Sequence, residues 1–482
     1  MITTTIAESG QRRYAASDVR RRFTTSAALA DSGVLSMAGF WDWWEERRAH
    51  HSFEVNRIPF RDLRGWHFDP VSGNLGHASG RFFTVEGLQV STDLAHYPQW
   101  TQPIINQPEI GVLGILVKEF DGVLHCLMQV KMEPGNVNTV QLSPTVQATR
   151  SNYTGAHGGR GIVYLDYFTE PGRSRILVDS LQSEQASWFL RKRNRNMVVE
   201  ITEDVTPHED FCWLSIGQLH RLLLLDNIVN MDARTVLACI PFDAPNGRAR
   251  GVSRYPYRES LLRSMADDEP SLYSTGDILS WLTEIRSRHE LRQLSIPLRE
   301  IRGWHRSDTE IAHEKGKYFR IIAADVGASN REVTSWTQPL LEPVERGRVA
   351  VLVRRIDGVL HLLVQTKLEA GVRDVAELGP TVQCLPRNTE GMDEQYQPRY
   401  LDYVLDAPPE AIVYDTVQSE EGGRFYHAEN RYQIIEVGQQ FDLDVPSEFA
   451  WLTVSQLTRL MDHSNYLNVQ MRSLLASLHA TW

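Results

Sequence analysis

The alternation of hydrophobic and polar residues between residues 128 and 149 predicts two short strands joined by a turn. The polar face of the first strand carries Gln129, Lys131 and Glu133, and the polar face of the second carries Ser143, Thr145, Gln147 and Thr149. The tripeptide Pro134–Asn136 between them is typical of a turn. Amides, hydroxyls, an amine and a carboxylate on these faces favour a pocket wall. An exposed sheet face with a Lys131–Glu133 ion pair is the alternative interpretation.

The same pattern of hydrophobic and polar residues occurs twice in the chain. Arg64–His67 recurs as Arg302–His305, 238 residues later, and Trp100–Pro103 recurs as Trp336–Pro339, 236 residues later. Further collinear matches fill both halves, which indicates a tandem duplication of a whole domain. The predicted organisation is an N-terminal arm (1–36), a first repeat (37–240), a linker (241–272) and a second repeat (273–482).

Within each repeat the pattern predicts a helix, several strands and a closing helix. Gly111–Val117 and Val123–Val130 are apolar runs on either side of Asp121-Gly122, which is a hairpin signal. Residues 215–225 form an amphipathic helix with Ser215 as its cap. The fold class is therefore α+β, with a mixed sheet flanked by helices.

Composition and charge narrow the functional classes. The chain has 482 residues, a formal net charge of -11 and a pI near 5.8, which argues against a general nucleic-acid binder. The four cysteines are scattered without metal-ligand spacing, as expected of reduced thiols in a cytoplasmic protein. No apolar run reaches the roughly 18 residues of a membrane-spanning helix, so no membrane partner is expected.

Three strings of the first repeat carry a family resemblance, namely Gln129–Asn136, Gln141–Thr149 and Ser151–Gly158. They resemble the NDP-hexose 2,3-dehydratase family of deoxysugar biosynthesis, and the duplicated architecture is similar too. The resemblance implies paired Nudix-like domains, a homodimer and a dTDP-linked 4-keto-6-deoxyhexose as substrate. The implied reaction removes water across C2 and C3 and gives a 3,4-diketo-2,6-dideoxy sugar.

The sequence departs from the wider Nudix pattern at one informative place. A Nudix box needs a glutamate-rich helix for divalent metal, but Pro134–Thr139 follow Glu133 here. No metal site is therefore predicted, and pyrophosphate hydrolysis is disfavoured. The chain also has no GxGxxG strand–turn–helix fingerprint, and the implied elimination beside an existing carbonyl needs no redox cofactor.

The implied reaction needs a base at C3, an acid at C2 and donors at the C4 oxygen. Glu133 is the first choice for the base, with an ion pair to Lys131 as its alternative role. Lys131 is assigned to the ketone or to a phosphate oxygen. Tyr153 and His157 are the candidates for further proton transfer. Their alternative roles are a packed loop tyrosine and a surface histidine.

The remaining candidates are assigned to substrate binding. Gln129, Thr145, Gln147 and Asn152 would bind sugar hydroxyls, and Ser143 and Thr149 extend the same wall; otherwise these residues satisfy buried backbone groups. Trp66 and Trp100 are candidates to stack on thymine, with Thr101 and Gln102 beside Trp100, and core packing is their alternative. Arg150 and Arg195 are candidates for the pyrophosphate, although charged runs of this kind more often form a solvated face.

The second repeat retains part of this set, namely Trp304, Trp336, Lys367, Glu369, Thr381, Gln383 and Arg431. It carries Thr389 and Asp393 where the first repeat has Tyr153 and His157. We therefore expect the first repeat to be the catalytic copy. The rival hypotheses are a non-catalytic nucleotide-sugar binder and, less favoured, a nucleotide-sugar pyrophosphohydrolase.

Overall fold

The computed structural model describes residues 17–95, 97–149, 161–243, 256–329, 334–393 and 396–482. It confirms the predicted α+β class. The helices of the first half are residues 17–27, Met37–His50, Asp166–Thr169, Ile216–Leu223 and Met231–Ala238. Those of the second half are Pro256–Met265, Thr275–Arg288, Pro386–Thr389, Leu401–Leu405, Val454–Leu460 and Val469–Leu478. Short 3-10 turns lie at Phe60–Asp62, Leu298–Glu300, Pro409–Ala411 and His479–Thr481.

The strands of the two halves follow one another in the same order. The first half contains β1 (Phe53–Ile58), β2 (Trp66–Phe68), β3 (Leu75–His77), β4 (Thr84–Thr92), β5 (Gln99–Asn106), β6 (Gly111–Phe120), β7 (Val123–Met132), β8 (Val140–Ser143), β9 (Val146–Ala148), β10 (Arg175–Ser183), β11 (Arg193–Ile201) and β12 (Phe211–Ser215). The second half contains β13 (Leu291–Ile296), β14 (Trp304–Arg306), β15 (Glu310–His313), β16 (Phe319–Ala328), β17 (Ser335–Pro343), β18 (Gly347–Ile356), β19 (Val359–Lys367), β20 (Glu377–Gly379), β21 (Val382–Cys384), β22 (Ile412–Ser419), β23 (Glu429–Glu436) and β24 (Phe449–Thr453).

Each half builds one seven-stranded mixed sheet. In the first, the order is β10-β11-β6-β7-β12, with β8 on β7 and β9 on β6, and β11 runs parallel to β6. The β6–β7 hairpin forms where Asp121-Gly122 predicts it, and both residues have positive φ (48° and 80°), as a tight hairpin turn requires. The second sheet repeats this arrangement with β22, β23, β18, β19, β24, β20 and β21.

Two smaller five-stranded sheets connect the halves by exchanging strands. Strand β1 of the first half pairs antiparallel with β16 of the second, from Phe53 opposite Ala328 to Ile58 opposite Ala323. Strand β13 of the second half pairs with β4 of the first in the same way. The first strand of each half therefore completes the small sheet of the other half. The two repeats are interlocked by this exchange and are not separate domains joined only by a linker.

A helix precedes each repeat, at residues 17–27 in the predicted arm and at Pro256–Met265 in the predicted linker, and the two helices make equivalent contacts. Residues 17–27 are helical, Phe23 is buried, and the Ser26 hydroxyl donates to the carbonyl of Leu124 at 2.5 Å. In Pro256–Met265, the Ser264 hydroxyl donates to the carbonyl of Leu360, also at 2.5 Å. In both helices an apolar face therefore packs on a large sheet, with Phe23 and Leu261 fully buried.

The two halves share one core. The helices Met231–Ala238 and Val469–Leu478 pack against each other, and each carries a fully buried arginine, Arg234 and Arg472. Arg234 donates to the carbonyl of Ser419 at 2.6 Å, and Arg472 donates to the carbonyl of Ser183. Each guanidinium therefore satisfies backbone of the opposite repeat, which fixes the two repeats to each other.

Two sequence expectations concern the wider chain. The cysteines Cys126, Cys212, Cys239 and Cys384 are all free thiols, and the first three are buried. Within the residues that the structure describes, no helix combines the length and apolar content needed to cross a bilayer.

Candidate functional site

Two large cavities lie where the repeats meet. The first has a volume of about 1210 Å³ and the second about 1080 Å³. Both volumes are slightly above the usual range for ligand sites, which is about 300–1,000 Å³. Residues of both repeats line each cavity. Both cavities are therefore shared between the halves, whereas the sequence predicts one separate site within each repeat.

One wall of the first cavity is formed by the alternating stretch between residues 128 and 149. Its lining side chains include Gln129, Lys131, Glu133, Thr145, Gln147 and Thr149. The Lys131 ammonium lies 3.4 Å from Oε1 of Glu133, and the Gln147 amide donates to the same oxygen at 2.9 Å. Glu133 is buried, with 4 % of its surface exposed. The ion pair and the pocket wall, which the sequence offered as alternatives, are both present.

The turn after Glu133 carries the wall onto the second repeat. The Gly135 amide donates to the carbonyl of Gly422 at 2.7 Å, and the His427 amide donates to the carbonyl of Gly135 at 2.8 Å. A Cβ added at Gly135 would lie 1.6 Å from the Phe425 carbonyl oxygen, so only glycine permits this approach. The contact brings Glu421, Gly423 and Arg424 of the second repeat into the first cavity.

The tryptophans of the two repeats are exchanged between the cavities. Trp66 lines the first cavity as predicted, but Trp100, Thr101 and Gln102 line the second, and Trp336 lines the first. The reason is that the indole of Trp66 donates across the repeats to the carbonyl of Thr337 at 2.9 Å. The predicted assignment of Trp100–Gln102 to the first pocket, and of Trp336 to the second, is therefore corrected. Trp304, Lys367, Glu369 and Gln383 line the second cavity, as expected.

Several predicted residues have other surroundings. Arg195 is 39 % exposed in its side chain and pairs with Asp179 at 2.6 Å, away from the lining of the first cavity, and Arg431 pairs with Asp415 in the same way. The hydroxyls of Ser143, Thr145 and Thr381 donate to backbone carbonyls, so they satisfy buried backbone as the alternative interpretation has it. Arg150, Asn152, Tyr153 and His157 lie outside the described residues.

Three carboxyl groups that were not predicted from the sequence also line the first cavity: the buried Glu184 and Asp232 and the partly buried Glu421. Among the described residues, one oxygen of each has no hydrogen-bond partner. Burial raises the pKa of all three, and it raises the pKa of Glu421 to about 7. The Asp232 pKa lies well above its usual range, first through burial and then through the neighbouring carboxylates of Glu184, Glu421 and Glu133. In all three groups the raised pKa favours the protonated form, as is common for the acids of functional sites.

The register of the duplication distinguishes the two cavities. Asn230 and Asn468 cap the equivalent helices, so Asp232 corresponds to Gln470, which lines the second cavity. The match of Gln182–Glu184 with Gln418–Glu420 likewise makes Glu421 equivalent to Gln185, which also lines the second cavity. Two carboxyl groups of the first cavity are amides in the second. This comparison of the repeats is the signal by which the sequence could have identified Asp232 and Glu421.

The surroundings of the candidate base also differ between the cavities. Glu369, the equivalent of Glu133, accepts from the Ser187 hydroxyl at 2.6 Å and from Gln383 at 3.2 Å. The position equivalent to Ser187 is Gly423, whose added Cβ would lie 3.6 Å from Oε1 of Glu133. The second cavity therefore holds its glutamate with a hydroxyl donor for which the first cavity has a glycine.

Metal ligation and acid–base chemistry make different demands on such residues. Across the described ranges, no group of three or more His, Cys, Asp or Glu side chains is arranged to hold a metal ion. The first cavity instead combines a carboxylate beside an ammonium with separate carboxyl groups of raised pKa. Such an arrangement can take a proton from one atom of a bound molecule and give a proton to another.

The fold and the first cavity thus define a duplicated α+β protein with a cavity that is lined by ionisable side chains of both repeats. The sequence profile of the NDP-hexose 2,3-dehydratase family matches residues 37–240 and 275–478. The chain belongs to this family, as its motifs predict.

Relatives with assigned names extend over nearly the whole chain. Proteins named dTDP-4-dehydro-6-deoxy-alpha-D-glucopyranose 2,3-dehydratase are 54% identical in Saccharopolyspora spinosa, over 99% of this chain and 98% of the relative, and 52% identical in Streptomyces violaceoruber, over 92% and 97%. A protein of the same name in Amycolatopsis orientalis is 48% identical over 96% of this chain and 94% of the relative. Among solved structures, C. elegans Ap4A hydrolase aligns with 27% of this chain and 93% of its own, at 16% identity and a TM-score of 0.18, which supports no argument.

Proposed function

We propose that this chain is a dTDP-4-keto-6-deoxy-D-glucose 2,3-dehydratase, a hydro-lyase, and that the first cavity is its active site. The family and the names of three relatives that cover nearly the whole chain support the reaction. The observation that carries the choice of site is Glu133, buried on the cavity wall between Lys131 and Gln147.

Glu133 acts as the base in this proposal. The C4 ketone of the substrate makes the C3 proton acidic, and a carboxylate aligned with that proton contributes about 10²–10⁴ in rate. Lys131, next to Glu133, supplies positive charge for the C4 oxygen as the enolate forms. The hydroxyl at C2 leaves as water, and the resulting enol becomes the C3 ketone. Tyr153 and His157 remain candidates for further proton transfer.

The nucleotide half of the substrate is assigned to other residues of the cavity lining. Trp66 and Trp336 offer aromatic faces for thymine, and both line the cavity. The Arg424 guanidinium lies above the ring of Phe83, with Cζ 4.7 Å from the ring centroid, and is the described arginine that we assign to the pyrophosphate. Gln129 and Thr149 line the cavity and are assigned to the sugar hydroxyls, and Arg150 and Asn152 remain candidates for substrate binding.

The second cavity is proposed to be the inactive copy. It has Gln470 and Gln185 in place of Asp232 and Glu421. Its acidic Glu369 is held by the Ser187 hydroxyl. Because residues of both repeats line each cavity, we propose a catalytic cavity and a degenerate cavity in place of a catalytic repeat and a degenerate repeat.

Direct product analysis tests the proposed function. The protein is incubated anaerobically with dTDP-4-keto-6-deoxyglucose, with and without a chelator, and the unstable diketone is trapped and identified by mass. We expect loss of one water from the sugar, with the dTDP group intact and no effect of the chelator. Recovery of unchanged substrate would favour a binding protein, and release of a nucleoside monophosphate would favour a pyrophosphohydrolase.

Three further features belong to the proposal on the strength of the family resemblance. We propose that each large sheet belongs to a Nudix-like fold, that the protein forms a homodimer, and that it is located in the cytoplasm. Light scattering during size-exclusion chromatography tests the dimer, for which twice the chain mass of 55.0 kDa is expected.

A further inference from the structure

We propose that Asp232 is the general acid that protonates the departing C2 hydroxyl, and that it recovers its proton from the C3 hydroxyl of the enol. This inference rests on the proposed function and deepens it. Hydroxide is a poor leaving group, so the elimination needs a proton donor as well as the base at C3.

A chain of hydrogen bonds fixes Asp232 relative to Glu133. Gln147 donates to Glu133 at 2.9 Å and accepts from the Asn230 amide at 3.4 Å. Asn230 caps the helix Met231–Ala238 by accepting from the Ala233 amide at 2.8 Å. Asp232 lies in the first turn of this helix. The base and the proposed acid therefore belong to one connected framework on the same cavity.

The second repeat keeps this framework and lacks its acid. Asn468 donates to Gln383 at 2.8 Å, Gln383 donates to Glu369 at 3.2 Å, and Asn468 caps the equivalent helix. The residue two positions beyond this cap is Gln470, whose side chain cannot release a proton at neutral pH. Along this chain of hydrogen bonds and its helix, the two cavities differ at the group that the proposal requires.

The surroundings of Asp232 favour the protonated form of its carboxyl group and leave one of its oxygens without a partner among the described residues. The side chain is 3 % exposed and lines the cavity, and its Oδ1 has no hydrogen-bond partner among the described residues. Burial raises its pKa most, and the neighbouring carboxyls raise it further. Lys131 acts in the opposite direction and does not cancel these effects. An unpartnered acid facing the cavity can donate to an atom of the ligand.

The proton transfers balance without any further reactant. Glu133 takes the proton from C3, and the C3–H electron pair becomes the C3=C4 double bond of an enolate whose charge lies on the C4 oxygen. As the C2–O bond breaks, the enolate electrons form the C2=C3 double bond and the C4 ketone is restored. Asp232 gives its proton to the departing oxygen, which becomes water. Glu133 then returns its proton to C2, and the Asp232 carboxylate takes the proton of the C3 hydroxyl as the C3 ketone forms. The sum is the loss of one water, with both carboxyls restored.

The decisive variant is Asp232→Asn, because Gln470 shows that the framework accommodates an amide at this position. We expect kcat for the natural substrate to fall by about 10²–10⁴. A substrate carrying fluorine instead of the C2 hydroxyl releases fluoride without a proton. For that substrate, D232N should stay within about threefold of the unmodified enzyme. Glu133→Gln is the control that should lose both reactions, since both need the base.

Exchange at C3 gives a second measurement. In deuterated water, D232N should incorporate deuterium at C3 of recovered substrate, because the base still works while elimination is blocked. E133Q should not. Equal losses on the hydroxyl and fluoro substrates, or full activity of D232N on the natural substrate, would overturn the assignment of Asp232. Failure of the unmodified enzyme to form the diketone would instead overturn the proposed function.

Discussion

Gly423→Ser transfers a feature of the second cavity into the first. In the second cavity the Ser187 hydroxyl donates to Glu369 at 2.6 Å, and Gly423 occupies the equivalent position beside Glu133. The added Cβ would lie 3.6 Å from Oε1 of Glu133, close enough for the new hydroxyl to reach the carboxylate. We expect the variant to fold and bind substrate but to turn it over slowly.

The magnitude follows from the hydrogen bond itself. A hydrogen bond to a charged group contributes roughly 1.5–3 kcal/mol, and much of this is lost when Glu133 becomes neutral on taking the C3 proton. At about 1.4 kcal/mol per factor of ten, kcat should fall between about 10-fold and 150-fold. KM should change little, because the hydroxyl opposes proton uptake rather than binding.

The assay and its control separate the hydroxyl from the added bulk. Initial rates of trapped diketone are measured for Gly423→Ser and for Gly423→Ala. The Cβ itself would lie 2.5 Å from Oε1 of Glu421, so both variants require that flexible side chain to move. Only the serine adds a donor. If the serine and alanine variants lose the same activity, the reasoning about the Ser187–Glu369 hydrogen bond is refuted.

Three further predictions test the site and the interface. Glu133→Ala should abolish diketone formation while Glu369→Ala leaves most of it, and the reverse result would move the active site to the second cavity. Gly135→Ala should destabilise the chain by about 1–3 kcal/mol or more in urea unfolding, because its Cβ meets the Phe425 carbonyl, whereas Gly33→Ala, with nothing within 4 Å, should not. Burial raises the pKa of Glu377 to about 7. The folded state therefore keeps a proton that the unfolded chain releases above about pH 4.5. The free energy of unfolding is expected to fall by about 3 kcal/mol as the pH rises to 7. Glu377→Gln, which matches Gln141 in the first repeat, should remove that fall in unfolding measurements at pH 5 and 8, and an unchanged fall would assign it to other groups.

Local patterns predicted the elements well and the partners of those elements poorly. The β6–β7 hairpin forms at Asp121-Gly122, and Ser215 caps its helix with Gln218 as the reciprocal partner. The strand exchange was not predicted, because the residues of β1 and β13 determine that each forms a strand and not which repeat supplies its neighbour. A long-range choice of this kind depends on the whole packed assembly.

The same limit explains the errors in the predicted site. Glu133, Lys131 and Gln147 were correctly expected to lie together, because one alternating stretch of the sequence presents all three. Trp100 was misplaced because each repeat was expected to complete its own pocket. Asp232 was missed because it lies 99 residues beyond Glu133, on a helix whose remaining residues are also buried and give no polar face. Distances along the chain carry no information about such a meeting.

The exchange of β1 and β13 between the repeats has a consequence for how the two cavities diverged. A single-repeat ancestor with this topology would have needed a second copy to cover the edge of its small sheet, so it would have been a symmetric pair. In such a pair every substitution alters both sites at once. Fusion into one polypeptide removes that constraint, and one pocket can then exchange aspartate and glutamate for glutamine while the other keeps them. Asymmetry of chemistry on a symmetric frame is what the covalent connection makes possible.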